Sequence, residues 1–500
     1  MEESDARAST VRRRQACSAA LLFVGMTFLW NCFRYQSFLG VVYPWELEVA
    51  PGVSAYALFI AVLCALTVAA LAVLGRRDLS CSPWVVCAVG ALGSVGVALS
   101  LACRSEGSEL ALPVACVSTC LVAASFLTGY LAWASLCVRC LSAGTAAVMA
   151  ASFFASTVLG GLVSRAHPGA PEAFALLGPA LVGLAFCLAW SRMPVPDAPC
   201  DSRRPVVSAP VVLFVAFLLM GAVVRGVVDV SGAGLPVGAT VGFRWPLSVG
   251  VSLAVFAACL GLYLASRLRP DRFGDGFRPV MLVSFGAWVV LAALFCVGVF
   301  WGLACGSYGE AGQVVIVARS TLSFVLWLFL CVCVRSSGSS PARSFALYGM
   351  LTEVVSWVLS YGVVPHLLAY ELGGSRSAQD VLALFSLLAL MLTLVAALGW
   401  AVIRRGLADA GASASGASVT GQAAAPSVPG GFPPERVAFY RLTPRESEVA
   451  WLFAQGNSIK SIASTLRVST GTAQGHIRGA YRKFGVHSRD ELIALVRSWK

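Results

Sequence analysis

The chain has 500 residues, of which 58% are apolar and only 12% are charged, and its formal net charge is +12. Soluble globular domains carry about 25% charged residues, so this composition excludes an ordinary soluble protein and indicates one embedded in a membrane. All three lysines (Lys460, Lys483 and Lys500) lie near the C-terminus, which sets the last sixty or so residues apart from the rest.

Twelve apolar runs divide the first 404 residues. A helix needs about 20 residues to cross a hydrocarbon core about 30 Å thick. The first six runs lie near 17–40, 54–74, 81–103, 110–134, 141–163 and 172–191. The second six lie near 207–228, 246–267, 279–304, 312–334, 343–369 and 379–403. We therefore predict an all-α fold in which residues 1–404 form a polytopic membrane bundle of about twelve transmembrane helices, arranged as two sets of six.

The distribution of arginine predicts the orientation of this bundle. The N-terminus and the loops after even-numbered spans hold most arginines, including Arg12, Arg13, Arg76, Arg77, Arg139, Arg192, Arg204, Arg269, Arg335 and Arg405. The alternate loops hold mainly acidic residues with scattered arginines (Arg104, Arg165, Arg244 and Arg376). Because cytoplasmic loops are enriched in Lys and Arg, both termini are predicted to be cytoplasmic. A cleaved signal peptide is disfavoured because the first run is long and many others follow.

A polar loop rich in Pro, Asp and Arg, residues 192–206, separates the two sets of six spans. After the eighth span comes the tetrapeptide 271–274, Asp-Arg-Phe-Gly. The span layout and this tetrapeptide resemble the major facilitator superfamily, which has a cytoplasmic Asp-Arg-x-Gly turn. The equivalent segment after the second span, 75–78, reads Gly-Arg-Arg-Asp and departs from that pattern. A generic twelve-helix bundle is the alternative.

Ionisable residues within apolar spans are costly, and they usually line cavities or pair with each other. Arg34 in the first span, Arg319 in the tenth and Glu353 in the eleventh stand out. We predict a central pocket in which Arg34 or Arg319 meets an anionic or polar small-molecule ligand, with Glu353 as counter-ion or proton site. The alternatives are a structural Arg–Glu pair, or arginines that extend to the membrane interface. For Arg34 the structural alternative is favoured.

Other polar residues of the spans do not suggest chemistry. Arg225, Asp229 and His366 lie near span ends, where a structural role is favoured. The 17 cysteines are scattered as small apolar residues and lack the paired spacing of a metal site. We find no phosphate-binding loop, nucleophile elbow or His-Glu metal motif, so neither an enzyme nor a cofactor is predicted.

Residues 405–436 are mostly Gly, Ala, Ser and Pro, and this composition predicts a flexible linker. A random chain of about 30 residues has a typical end-to-end distance of about 30 Å. The segment that follows, 437–500, is therefore predicted to be a small domain that stays near the membrane.

Four short helices are predicted in residues 437–500. Thr443 with Glu446 forms a capping box, a proline follows the cap, and Gly456 ends this first helix. The next helices begin after Ser458, Ser469 and Ser488, with Glu491 completing a second capping box. The second and third helices are joined by only a few residues, which is helix-turn-helix geometry.

The segment from 440 to 500 carries ten Lys or Arg against four Asp or Glu. Clustered positive charge on the third helix is what neutralising DNA phosphates requires. A basic helical bundle that binds another protein is the alternative.

The order Leu-Thr-x-Arg-Glu-x-Glu-Val (442–449), Ile-Ala (462–463), Tyr-Arg-Lys (481–483) and Ser-Arg (488–489) resembles the LuxR-type (FixJ/NarL-type) DNA-binding domain of bacterial regulators. The resemblance implies that the third helix enters the major groove of double-stranded DNA and that the fourth supports a homodimer, with RNA polymerase as a further partner. It implies base contacts by Gln474, Gly475 and Arg478 and phosphate contacts by Lys460, Thr472, Arg482 and Lys483. His476 belongs to the same DNA-binding set.

Two glycines depart from the family's pattern on the third helix. Gly475 stands where a larger side chain is usual, Gly479 is a second glycine, and Gln474 replaces a usual basic residue. Each glycine costs the helix about 1 kcal/mol relative to alanine. If these glycines limit DNA binding, replacing Gly475 by Val and Gly479 by Ala raises helix content and affinity.

The combined features predict a one-component transcription regulator in the bacterial cytoplasmic membrane. Its transporter-like part would sense a small molecule or a membrane state, and its C-terminal domain would bind promoter DNA in the cytoplasm. The alternative is a transporter whose C-terminal domain is regulatory or binds another protein. A regulator that has lost sequence-specific binding is a third interpretation.

Overall fold

The computed structural model describes residues 2–33, 38–44, 47–74, 82–104, 112–166, 169–192, 204–230, 239–268, 278–306, 308–368, 379–399, 432–440, 442–466, 470–486 and 488–497. The chain divides into two compact units, Met1–Arg405 and Gly406–Lys500. The predicted linker residues 405–431 and the predicted pocket residue Arg34 lie outside the described residues.

The first unit is a bundle of long apolar helices. In chain order they are α1 (Glu2–Cys32), α2 (Ala55–Leu74), α3 (Pro83–Arg104), α4 (Leu112–Arg139), α5 (Ala143–Val163), α6 (Ala170–Arg192), α7 (Ala209–Val230), α8 (Ala239–Leu268), α9 (Arg278–Ala304), α10 (Gly309–Ser337), α11 (Pro341–His366) and α12 (Gln379–Gly399). Among the described residues, α2 to α12 are long and apolar enough to cross a membrane, and α1 has a shorter apolar part, Cys17–Cys32. The predicted polytopic helical fold is confirmed.

A small hairpin and a helical turn connect α1 to α2. The turn is Gly40–Val42, and strands β1 (Glu48–Ala50) and β2 (Val53–Ser54) pair antiparallel. Gly52 lies between the strands with φ +74°, a conformation that suits glycine because it lacks a Cβ atom.

Helix α10 forms the centre of the bundle. Within its most apolar window 89% of the residues are buried, compared with 28% for α2 and for α12. A helix that is apolar on all sides can be buried on all sides, and α10 carries the apolar run 324–334. The charged side chain of Arg319 is therefore held on the most enclosed helix of the unit.

Helix α11 departs from regular α-helical geometry in two places. Phe345–Met350 and Val358–Val363 are π-helical, and the α-helical segment Leu351–Trp357 between them carries Glu353. Such widened turns are rare and are frequent at functional sites.

Residues predicted to face the cytoplasm lie together at one end of the bundle. Arg335 Nη1 donates to the carbonyl of Arg139 at 2.8 Å, and Arg139 lies over the ring of Trp190 at 5.2 Å. The amide of Ser340 donates to the carbonyl of Arg204 at 3.1 Å. The ends of α4, α6 and α10 and the segment before α7 are thereby joined.

The described part of the second unit contains five helices. They are α13 (Pro434–Phe439), α14 (Pro444–Ala454), α15 (Ile459–Thr465), α16 (Thr470–Phe484) and α17 (Arg489–Arg497). The last four match the four helices predicted from the caps. Helix α13 was not predicted, because its prolines were interpreted as part of the linker. Phe432, just before α13, is buried and packs edge-on against Trp451 and Phe484.

The predicted caps are present wherever the structure describes them. Thr443 and Glu446 form a reciprocal capping box at α14, and Gly456 ends that helix with φ +103°. The amide of Ser461 donates to Ser458 Oγ at 3.2 Å, and the amide of Glu491 donates to Ser488 Oγ at 3.2 Å. Ser469, the predicted cap of α16, lies outside the described residues.

Candidate nucleic-acid interface and membrane cavity

Helix α16 has one buried face and one exposed basic face. Ile477, Ala480 and Phe484 are buried, in contact with the other helices of the second unit. Gln474, Arg478 and Arg482 are exposed and lie four residues apart, which places them one above another along the helix. The exposed face thus presents one amide and two guanidinium groups in a row about two turns long.

The predicted DNA-contacting residues fall into three groups. Thr472, Gln474, Gly475, Arg478 and Arg482 are exposed on α16. His476 is half-buried at the edge of that face, and the side chain of Lys460 is not described. Lys483 is half-buried and paired within the domain.

Lys483 joins α16 to α14. Its Nζ atom donates to Glu446 Oε2, and the same carboxylate oxygen accepts the backbone N–H of Thr443 at 2.9 Å. The side chains of Lys483 and Glu446 are 27% and 13% exposed. Glu446 therefore closes the capping box of α14 and anchors α16 at the same time. Sequence reasoning identified the capping box but placed Lys483 on the DNA side, because the pairing crosses 37 residues.

The environment of Glu446 changes its acidity. Partial burial acts to raise the pKa of this carboxyl, but hydrogen bonds from Lys483 and Thr443 outweigh burial and lower the pKa below its usual 4.5. The carboxylate form is therefore the one that holds α14 and α16 together near neutral pH.

The two glycines of α16 lie in different surroundings. A Cβ atom at Gly475 would meet nothing within 4 Å, whereas one at Gly479 would lie 2.6 Å from Glu446 Oε1. Gly479 therefore lets α16 approach the capping box closely, and the expected gain from its replacement by alanine does not fit this structure.

Arg489, at the start of α17, anchors the last helix. Its guanidinium group lies 4.6 Å from the ring centre of Phe453, and its Nη2 atom donates to the carbonyl of Asn457 at 3.4 Å. Cation–π contacts of this kind stabilise by about 0.5–1 kcal/mol at exposed sites. The Arg of the Ser-Arg pair thus fixes α17 against the C-terminal end of α14.

A cavity of about 180 Å³ lies in the first unit, between helices of its two sequence halves. From the first half, Tyr56 and Gly161 line it; from the second half, Trp245, Trp357 and Tyr361 do so. Gly161 permits this contact between halves, because a Cβ atom there would lie 1.8 Å from Trp245 Nε1. Trp245 Nε1 also donates to the carbonyl of Thr157 at 3.1 Å.

Three arginines line this cavity. They are Arg225 from α7, Arg244 from α8 and Arg319 from α10. Arg225 Nη2 donates to Tyr361 Oη at 3.2 Å, and Arg244 Nε donates to the buried Gln313. Sequence reasoning placed Arg244 in a loop because the apolar run begins at 246, whereas α8 begins at Ala239. Arg225 lies in the cavity wall as well, and its favoured structural role stays a prediction.

Arg319 and Glu353 lie close together in the structure. Their proximity is compatible with the predicted pocket, in which Glu353 is the counter-ion, and with the alternative of a structural Arg–Glu pair. Arg319 Nη2 and Glu353 Oε2 are 3.7 Å apart, and both side chains are 10% exposed. Ser323 Oγ donates to Glu353 Oε1. A second cavity of about 100 Å³ adjoins these groups, and Arg319 lines both cavities. His366 does not line either cavity, and the side chain of Asp229 is not described.

Metal binding has no support in the described part of the chain. No group of three or more His, Cys, Asp or Glu residues lies there in an arrangement that could hold a metal ion.

Comparison with known families identifies the C-terminal domain. Residues 440–496 match the family model described as bacterial regulatory proteins, luxR family. No curated protein matches the chain. The predicted LuxR-type helix-turn-helix domain is confirmed.

Comparison with solved structures concerns the membrane unit. The crystal structure of a bacterial homologue of the iron transporter ferroportin, in its outward-facing state, is 14% identical, with a TM-score of 0.50; the match covers 77% of this chain and 99% of that chain. An E. coli fucose:proton symporter is 11% identical, with a TM-score of 0.45, over 76% of this chain and 98% of its own. A structure described as a major facilitator superfamily transporter in the outward conformation is 12% identical, with a TM-score of 0.42. That match covers 76% of this chain and 98% of the other. The fold of the membrane unit is transporter-like, as predicted.

Proposed function

We propose that this chain, in which a luxR-family helix-turn-helix domain follows a transporter-like bundle of membrane helices, is a membrane-bound one-component transcription regulator. The C-terminal domain binds promoter DNA, and the membrane unit senses a small molecule or a membrane state. The observation that carries the proposal is the exposed row Gln474, Arg478 and Arg482 on α16, within a domain that the luxR family model matches.

Helix α16 supplies the contacts to DNA in this proposal. Gln474 can donate to and accept from the edge of adenine through its amide, and Arg478 can bind guanine or a phosphate. Arg482, Thr472 and Lys460 neutralise or bind phosphates, which sets the register on DNA without reading sequence. Gly475 leaves room for close approach of α16 to the groove.

Lys483 has a different role in the proposal from the one its sequence position suggests. Its ammonium group is engaged by Glu446, so it positions α16 on α14 and is a poor choice for testing DNA contact. Replacing Lys483 would leave Glu446 partly buried without its cation and would disturb the domain itself.

In this proposal the second unit lies in the cytoplasm of a bacterial cell, where DNA is accessible. Two contacts at helix ends support this orientation, because each involves arginines predicted to be cytoplasmic: Arg335 donates to Arg139, and the amide of Ser340 donates to Arg204. The domain follows the last span through the linker, so target DNA must approach the inner face of the membrane.

Sensing and DNA binding are coupled through a population shift. A ligand that binds one arrangement of the two membrane halves better than the other changes the populations of these arrangements. The change alters how two C-terminal domains meet through α17 as a homodimer, or how they engage RNA polymerase. Ligand binding and DNA binding must then influence each other by the same factor.

The test is genome-wide crosslinking of full-length tagged protein to DNA, with an Arg478→Ala, Arg482→Ala double variant beside it. The proposal predicts discrete DNA sites that the double variant loses. Arg445→Ala is the matched control, because Arg445 is exposed on α14 and pairs only with the exposed Glu448 at 2.9 Å among the described contacts. Absence of discrete sites under several growth conditions would contradict the proposal.

A second candidate function is transport, with the C-terminal domain as a regulatory or protein-binding device. The cavity that both halves of the membrane unit line favours it. The test is uptake of a substrate into vesicles that contain the full-length protein. Uptake that is the same in the Arg478→Ala, Arg482→Ala double variant would support transport over regulation.

A further inference from the structure

We propose that the membrane cavity binds a small organic carboxylate, whose anionic group takes the place of Glu353 beside Arg319 and whose apolar body lies among aromatic rings. The binding itself stands on the geometry of the cavity. Its consequence for DNA binding rests on the proposed function.

The walls of the cavity carry positive charge inside a membrane unit. Arg225, Arg244 and Arg319 come from three different helices of the second sequence half and line one cavity. Of the described residues that line the two cavities, Glu353 is the one with a carboxylate. Ionised groups within a membrane bundle are costly and mark ligand or ion pathways, and cationic walls favour an anion.

Arg319 has donors that the protein leaves unused. Its Nε and Nη2 atoms are buried and have no hydrogen-bond partner in the described part of the chain. The 3.7 Å separation from Glu353 Oε2 is too long for a hydrogen bond, so the pair is held by charge alone. Leaving buried donors unpaired costs free energy, and this cost is relieved when an acceptor binds.

The unused donors have the geometry that a carboxylate matches. Nε and Nη2 lie on one edge of the planar guanidinium group, and carboxylates bind arginine through two parallel hydrogen bonds. Such bidentate contacts are stronger than those between neutral groups and fix the orientation of the ligand. Arg319 is therefore the anchoring group of the site.

The rest of the site is suited to an apolar body. The second cavity, which Arg319 also lines, has walls that include the rings of Trp30, Phe33, Phe153 and Trp357. An apolar cavity of about 150 Å³ can hold benzene, and the two cavities here enclose about 180 and 100 Å³. A carboxylate attached to a single ring, or to an aliphatic body of similar size, fits this space better than a large or highly polar anion.

Glu353 acts as an internal competitor for Arg319. When the ligand carboxylate binds Arg319, Glu353 keeps its hydrogen bond from Ser323 and loses its charge partner. Because both Ser323 and Arg319 lie on α10, binding weakens one of the two polar contacts that Glu353 makes with α10. Glu353 lies between the two π-helical turns of α11, and such turns are frequent at functional sites.

The test uses full-length protein in detergent micelles and measures binding by calorimetry together with the melting temperature. The probes are benzoate, cyclohexanecarboxylate, neutral benzamide and inorganic phosphate. We expect the two carboxylates to bind and to raise the melting temperature, and benzamide to bind at least about tenfold more weakly, since charge-assisted hydrogen bonds are the stronger ones.

Two variants test the roles of the pair in opposite directions. Arg319→Gln should weaken benzoate binding about tenfold or more, whereas Glu353→Gln should strengthen it, because the competing charge is gone. Arg267→Gln is the matched control, since Arg267 is exposed near the end of α8 and does not line either cavity. Its benzoate affinity should equal that of the unmodified protein.

Three results would overturn the inference. They are failure of both carboxylates to bind, unchanged affinity in Arg319→Gln, and phosphate binding at least as tight as benzoate, which would indicate an inorganic anion site. DNA crosslinking with and without benzoate separates this inference from the proposed function. If discrete DNA sites are found but no carboxylate binds, the cavity ligand is refuted and the proposed regulator is not. If a carboxylate binds but no DNA site is found, the cavity ligand is supported and the proposed regulator is refuted.

Discussion

Each unit of the molecule contains an ion pair that joins two neighbouring helices, and these two pairs differ in how completely their donors and acceptors are used. In the C-terminal domain, Lys483 donates directly to Glu446, whose carboxylate also caps α14. In the membrane unit, Arg319 and Glu353 lie 3.7 Å apart, and two donors of Arg319 have no acceptor among the described residues.

The difference separates a structural pair from a pair available for binding. Glu446 Oε2 already accepts hydrogen bonds from Lys483 and from the backbone of Thr443, so a ligand that bound there would have to break contacts that hold the domain together. Arg319 is more deeply buried, it lines both cavities, and two of its donors have no hydrogen-bond partner among the described residues, so an acceptor that reached them would improve their surroundings. A glutamate paired with a basic residue therefore stabilises the fold at one site, whereas at the other it leaves donors available to a ligand.

The largest expected effect comes from breaking the membrane pair. Glu353→Ala leaves Arg319 buried without its counter-charge, which should lower the free energy of unfolding by about 3–5 kcal/mol. The measurement is the melting temperature of the full-length protein in detergent. Replacing both residues, Arg319→Leu with Glu353→Leu, should recover most of the loss, and no recovery would mean that the cost is not the unpaired charge.

A smaller effect is expected from breaking the pair in the C-terminal domain. Glu446→Ala removes a cap and the partner of Lys483, which should cost about 1–2 kcal/mol. Hydrogen exchange of the full-length protein should show about a tenfold loss of protection in α14 and α16. Arg445→Ala is the control, because Arg445 and Glu448 are 57% and 48% exposed and such pairs contribute little. Equal protection in both variants would show that Glu446 does not link the helices.

The lowered pKa of Glu446 predicts a pH dependence of the C-terminal domain. Its folded-state pKa is below the usual 4.5, so the stabilisation is present above pH 4.5 and is lost as the pH falls through the folded-state value. Amide protection in α14 and α16, measured across this range, should decrease on acidification. Glu446→Gln should reduce that decrease. If protection in Glu446→Gln depends on pH as it does in the unmodified protein, a group other than Glu446 causes the pH dependence.

The smallest effects are expected from the two glycines of α16. Gly475→Ala should stabilise the helix by about 0.5–1 kcal/mol, because its Cβ atom would meet nothing within 4 Å. Gly479→Ala should give no such gain, since its Cβ atom would press on Glu446. Helix content by circular dichroism and protection of α16 check both variants, and equal gains would show that Glu446 moves aside freely.

Local signals in the sequence predicted most of the helices of both units. The apolar runs predicted the membrane helices, since length and composition alone determine whether a helix can cross a bilayer. The capping box of Thr443 with Glu446, and Ser458, marked helix starts because a cap acts on residues within one turn. Helix α13 was missed because its prolines are common both in linkers and at the first position of a helix.

Contacts between distant residues could not be predicted in this way. The sequence offered Arg319 and Glu353 as either a pocket or a structural pair, and it gave Arg225 and Arg244 no part in a site. Their place in one cavity depends on how α7, α8 and α10 pack together. This packing cannot be predicted from a local sequence pattern, because many combinations of side chains allow the same pair of helices to pack together.

The sequence by itself determined that the chain combines membrane helices with a basic helix-turn-helix domain, because hydrophobic periodicity, caps and charge act over a few residues. Only the tertiary structure decided that Lys483 anchors α16, that Gly475 is open while Gly479 is packed, and that Arg319 lines two cavities and has donors without a partner among the described residues. Each of these features depends on which atoms from another helix come within hydrogen-bond or van der Waals distance, and this is fixed by packing across long stretches of the chain.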